Sequence, residues 1–61
     1  MTSAYYKNYA THLTTLDGNL LILEEMHLAG EAEDYPLGTP KRTHLDTLIE
    51  LIQNELLRRV Y

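Results

Sequence analysis

The chain has 61 residues, no cysteine, and nine Asp and Glu against five Lys and Arg, for a net charge of −4. A chain this short buries only about 60% of the surface its unfolded form exposes, and without cysteine neither disulfides nor thiolate metal sites can make up the deficit. The acidic balance argues against a nucleic-acid binder, whose affinity comes mainly from basic residues on phosphates. The longest apolar run, Leu20-Leu21-Ile22-Leu23, falls far short of the roughly 20 residues a membrane span needs.

The opening MTSAYYKNYATH has neither the charged start nor the apolar stretch of a signal peptide, so a cytoplasmic protein is expected. From there Tyr6, Tyr9, Leu13, Leu16, Leu20, Leu23 and His27 follow one another at spacings of 3, 4, 3, 4, 3 and 4. That heptad stripe is the seam of a helix packed on other helices, and it predicts one helix over about 4–29. Thr2 or Ser3 can cap its start, and Gly30 is a natural stop. Asp17-Gly18-Asn19 lies mid-stripe, where a glycine costs about 1 kcal/mol relative to alanine. Asp-Gly is also a hairpin signal, but neither flank alternates apolar and polar residues. A single helix, kinked at Gly18 if anywhere, is therefore expected.

An acidic loop over 30–39 follows, punctuated by Pro36 and Gly38. A second helix is expected over about 40–60. Pro40 stands at the favoured first helical position, and Thr43 with Asp46 offers a capping box one turn later. Leu45, Leu48, Ile49, Ile52, Leu56 and Val60 form its apolar face, widened by Leu51 and Leu57. Glu55 and Arg59 are spaced as an i,i+4 pair, and Arg58 and Arg59 suit the negative end of the helix dipole.

The expected product is all-α: one helical-hairpin domain spanning 1–61, with its helices antiparallel. Two helices alone make a poor core. Leu21, Ile22, Met26 and Leu28 on the first helix, like Leu51 and Leu57 on the second, lie off the main seams and call for more than one neighbour. Pairing of two hairpins into a homodimeric four-helix bundle meets that need. Its core would hold Leu13, Leu16, Leu20, Leu23, Leu45, Ile49, Ile52 and Leu56.

Several features bear on function. In an antiparallel hairpin Tyr9 lies opposite Tyr61, which leaves Tyr5 and Tyr6 without cover from their own chain, and tyrosines favour interfaces. Glu24 and Glu25 near the end of the first helix, and Lys41 and Arg42 near the start of the second, all oppose their helix dipoles. Either these charges compensate one another across the loop, or they form a docking end. Tyr5, Tyr6, Tyr9, Lys41 and Arg42 are thus the candidate partner-binding residues.

Glu24-x-x-His27 puts a carboxylate and an imidazole on one helical face. With Asp46 or Glu50 from the second helix, a dimer could assemble the ligand set of a carboxylate metal bundle. That remains an alternative, and no cofactor is expected. Ser3 is the only serine, there is no cysteine and no phosphate-binding loop, so no enzymatic activity is expected. The favoured function is a small acidic protein–protein interaction module, an adaptor, regulator or inhibitor of the kind phages and plasmids encode, docking on a larger protein. A nucleic-acid-associated regulator is the second alternative. It is disfavoured because the basic residues Lys41, Arg42, Arg58 and Arg59 lie at opposite ends of a helix about 30 Å long.

Overall fold

In the computed structural model, which describes residues 3–60, the first helix ends early for a local reason. α1 spans Ser3–Leu13. The amides of Thr14, Thr15 and Leu16 each bond the carbonyl three residues back. The hydroxyls of Thr14 and Thr15 donate to Thr11 and His12 carbonyls at 2.6 and 2.7 Å. Such back-bonding by β-branched hydroxyl residues competes with helix propagation, and the tighter turn ends it.

Asp17 then starts a new helix. Its backbone is extended (φ −75°, ψ 165°), and its carboxylate accepts from the Leu20 amide at 3.0 Å, an N-cap that also places negative charge at the positive end of the dipole. α2 spans Gly18–Ala32, so Gly30 lies inside it rather than ending it. The expected single helix over 4–29 is therefore two, and the Asp-Gly pair is a cap instead of a kink. Thr2, the other cap suggested for the first helix, lies outside the described residues, as does Tyr61.

The connection to the last helix turns at Pro36–Thr39. The Thr39 amide bonds the Pro36 carbonyl at 3.3 Å, and Gly38 adopts φ +88°, a value that the third position of a type II turn requires and that glycine supplies without strain. α3 spans Pro40–Val60. Its cap is Thr39, whose hydroxyl accepts from the Arg42 amide at 3.3 Å. The capping box expected at Thr43 and Asp46 does not form. Thr43 is already helical, and Asp46 pairs with Arg42.

Among the described residues the secondary structure is these three helices, with no strand. Tyr6 near the start of α1 meets His44 near the start of α3, and Leu13 at the end of α1 meets Arg59 at the end of α3. α1 therefore runs in the same direction as α3. The end of α2 meets the beginning of α3 through Arg42, so those two run oppositely. Both α1 and α2 pack mainly on α3. The core consists of Leu13, Leu21, Leu28, Ala32, Leu45, Leu48 and Ile52, with Tyr6, Tyr9, Leu16, Tyr35, Ile49, Leu51 and Leu56 packed around it.

The break at 14–17 changes the phase of α2. Leu21, Leu28 and Ala32 face inward, whereas Leu20 and Leu23 of the heptad stripe are 48% and 60% exposed. Of the eight residues expected to form a dimer core, Leu13, Leu45 and Ile52 are buried in this chain's own core, Leu16, Ile49 and Leu56 are half-buried against it, and Leu20 and Leu23 point away. No helix is long and apolar enough to cross a membrane, among the described residues.

Candidate functional site

The residues singled out for partner binding are largely occupied within the chain. α1 lies along α3 instead of overhanging it, so the tyrosines have intrachain cover after all. Tyr5, Tyr6 and His44 form a ring cluster with centroids 5.6–5.7 Å apart, and the Tyr6 hydroxyl is 3.0 Å from His44 Nδ1. Tyr9 donates to Glu24 Oε1 at 3.3 Å. Burial, then the nearby Glu24 charge, push the Tyr9 phenol up to about 12 from the usual 10.0.

Arg42 explains part of the charge pattern that opposed the dipoles. Its Nη1 donates to the carbonyls of Ala32 and Tyr35, both at 3.1 Å, where α2 ends, while its Nε pairs with Asp46 at 3.2 Å. A cation misplaced on its own helix is thus well placed at the negative end of the neighbouring one. Lys41 is exposed, with its ammonium 5.9 Å from the centre of the Tyr35 ring, the reach of a cation–π contact.

Arg59 mirrors this arrangement at the other end of α3. Its Nη2 donates to the carbonyls of Leu13 (3.0 Å) and Thr14 (3.4 Å), capping α1. Glu55 aims it. The buried Glu55 carboxylate accepts from Arg59 Nε at 2.7 Å and from Arg58 at 2.6 and 3.0 Å. Those bonds, Arg58 first and Arg59 next, hold the carboxyl down to about 2 from the usual 4.5.

The candidate metal ligands do not converge within one chain. Glu24 is engaged by Tyr9, His27 is exposed on α2, and Asp46 pairs with Arg42. Among the described residues no group of three or more His, Cys, Asp or Glu side chains is placed to hold an ion.

The stripe residues Leu20 and Leu23 lie on the outward face of α2. Leu20, Leu23 and Met26 are 48%, 60% and 64% exposed, and Ile22 is exposed beside them. At 3.6 residues per turn, Leu20, Leu23, Met26, His27 and Gly30 share one side of the helix, opposite Leu21, Leu28 and Ala32. A shallow depression lined by Met26, His27, Gly30, Glu31 and Asp34 continues that side to the end of the helix. Gly30 costs the helix about 1 kcal/mol relative to alanine, yet a Cβ built there meets nothing within 4 Å. The packing of the fold therefore does not require glycine at this position.

The surface around this face is acidic. No Lys or Arg occurs between residues 8 and 40, while Glu24, Glu25, Glu31, Glu33 and Asp34 all do. Among the described residues the ion pairs all lie within α3, so none of these five acids is in one, although Arg42 and Lys41 reach the same end of α2, at the Ala32 and Tyr35 carbonyls and the Tyr35 ring. Fully burying a Leu or Met side chain contributes about 1.5–3 kcal/mol, so covering what Leu20, Leu23 and Met26 leave in water is worth roughly 3–5 kcal/mol together. Association costs about 4–15 kcal/mol in lost freedom. The apolar patch is therefore too small to hold a partner by itself. The excess apolar residues of α2 were visible in the sequence as Leu21, Ile22, Met26 and Leu28 off the stripe; the side facing outward was not.

Compared with family models, curated proteins and solved structures, the chain matches none.

Proposed function

We propose that the chain is a small acidic protein-interaction module, an adaptor, regulator or inhibitor, which docks on a larger protein through the outward face of α2. The observation that carries this reading is the apolar series Leu20, Leu23 and Met26, roughly half to two-thirds exposed on the side of α2 turned away from the core. A helix with apolar side chains on both sides is buried on both sides in a stable assembly. Tyr6, Tyr9 and Arg42 are taken up by intrachain bonds, which moves the proposed docking site from the tyrosine and loop ends to α2.

A second reading gives the same face to a second copy, pairing two α2–α3 hairpins as a four-helix homodimer. It is favoured by the seam-like 3,4 spacing that Leu20, Leu23 and His27 keep.

The test is a photo-crosslinking amino acid placed at Met26 in the full chain, expressed in its host cell, with the same group at Glu50 as a control. Docking on a larger protein predicts one dominant crosslinked species of another protein from position 26 and none from position 50. Crosslinks confined to a second copy would favour the homodimer, and none from position 26 would remove both readings.

A further inference from the structure

We propose that the outward face of α2 seats a basic amphipathic helix of another protein, crossing α2 at Gly30. This rests on the docking reading above and names the chemistry of the partner.

Three observations point the same way. The apolar series runs from Leu20 to Gly30, and the ten rises between them, at about 1.5 Å each, span about 15 Å. A single helix presenting apolar anchors at i, i+3, i+4 and i+7 covers a strip of that length and shape. Next, the strip ends in the depression formed by Met26, His27, Gly30, Glu31 and Asp34. Gly30, one of its lining residues, is exposed and presents bare backbone, with open space where a side chain would stand. A glycine that the fold does not need, on the docking side, allows a partner's backbone to approach closely.

The third observation is charge. Glu31 and Asp34 border the depression and Glu33 lies beside them; α2 carries no Lys or Arg, and Arg42 and Lys41, which reach this end of it from α3, form no ion pair with the three acids, which outnumber them. Nucleic acid and anionic lipid surfaces are repelled by such a rim. A second copy brings another −4 and the same acids. A helix carrying Lys or Arg beside its apolar anchors is the complementary occupant, and its charges supply what the small apolar patch lacks.

The experiment titrates the isotopically labelled full chain with two synthetic helical peptides. Both carry Leu at i, i+3, i+4 and i+7; one carries Lys at its remaining charged positions, the other Glu. The expected result is that the Lys peptide binds, shifts the amide resonances of Leu20, Leu23, Met26, His27 and Gly30, and weakens at high salt, while the Glu peptide does not bind. Gly30→Ala should weaken binding by about tenfold or more while raising the chain's own Tm. A loss of affinity together with a gain in stability separates a docking role from a structural one.

Shifts confined to α1 or α3, equal binding of the Glu peptide, or unchanged affinity in Gly30→Ala would each overturn the proposal. Sedimentation showing a dimer abolished by Leu23→Glu would overturn it in favour of a second copy. The crosslinked partner keeps the two failures apart. A crosslink from Met26 into a segment without Lys or Arg refutes the basic helix and leaves the docking reading standing, whereas no crosslinked protein at all removes both.

Discussion

Replacing Arg42 by alanine removes the two bonds that close α2, those to the carbonyls of Ala32 and Tyr35. Hydrogen bonds from a charged donor contribute about 1.5–3 kcal/mol each when well buried. The Arg42 side chain is 26% exposed, and the freed carbonyls can take up water, so the pair together is worth about 1–2 kcal/mol. In a domain of this size that lowers Tm by roughly 4–16 °C, a large share of the 3–5 kcal/mol that such a core rarely exceeds. Arg42→Lys keeps a positive charge at the end of α2, worth about 0.3–1 kcal/mol, but cannot bridge two carbonyls, so it should recover less than half of the loss. Asp46→Ala breaks only the exposed ion pair and should cost less than about 1 kcal/mol. Thermal and urea unfolding followed by far-ultraviolet circular dichroism measures all three, with Lys41→Ala as the control. If Arg42→Ala melted with Lys41→Ala, or if Asp46→Ala cost as much as Arg42→Ala, the capping account would be refuted.

The inward register of α2 predicts that Leu21→Ala, at a position with no exposure, costs about 2–5 kcal/mol and leaves the chain largely unfolded. Leu23→Ala should stay within about 0.5 kcal/mol of the parent, and the reverse order in urea midpoints would restore the uninterrupted heptad. Because the folded pKa of Glu55 is lowered to about 2, its contribution is present above the unfolded value of 4.5 and is lost as pH falls from there through 2. Glu55→Gln should flatten the stability–pH profile in that window, and a profile of unchanged slope would refute the assignment. Tyr9 is shifted the other way, from 10.0 to about 12, so its contribution is complete below pH 10 and is lost as pH rises through 12. Ultraviolet titration should find one tyrosine ionising last, at a midpoint that Glu24→Gln lowers; a midpoint indifferent to that change would refute the part assigned to Glu24.

α3 is legible because its signals agree. Pro40 fixes its start, and Leu45, Leu48 and Ile52, all on the predicted face, are its buried apolar residues. The first half is harder because Leu20-Leu21-Ile22-Leu23 supports two stripes. Leu20 and Leu23 continue the heptad from Tyr6, whereas Leu21, Leu28 and Ala32, at spacings of 7 and 4, form a second stripe offset by one residue. The choice between them depends on Thr14, Thr15 and Asp17, whose short side chains bond their own backbone. Their effect is local, and a periodicity argument averages over it. The two arginine caps were beyond the sequence for the opposite reason. Arg59 reaches carbonyls 46 and 45 residues away, and its own helix explains it adequately as a last-turn cation. Lys41 and Arg42 did signal a conflict with their own dipole, which for Arg42 resolves only once the end of α2 is placed beside it.

Because α1 and α2 rest mainly on α3, and because Arg42 and Arg59 add side-chain caps to both, the packing and the arginine caps of the first two helices come from the segment the ribosome makes after them. Helices of 11 and 15 residues are marginal on their own in water. During synthesis α2 therefore emerges with both of its apolar sides uncovered, and it waits for Arg59 before α1 is held. Folding of this chain is thus an event that follows translation of α3, and in that interval any factor that recognises exposed leucine can engage α2 from either side.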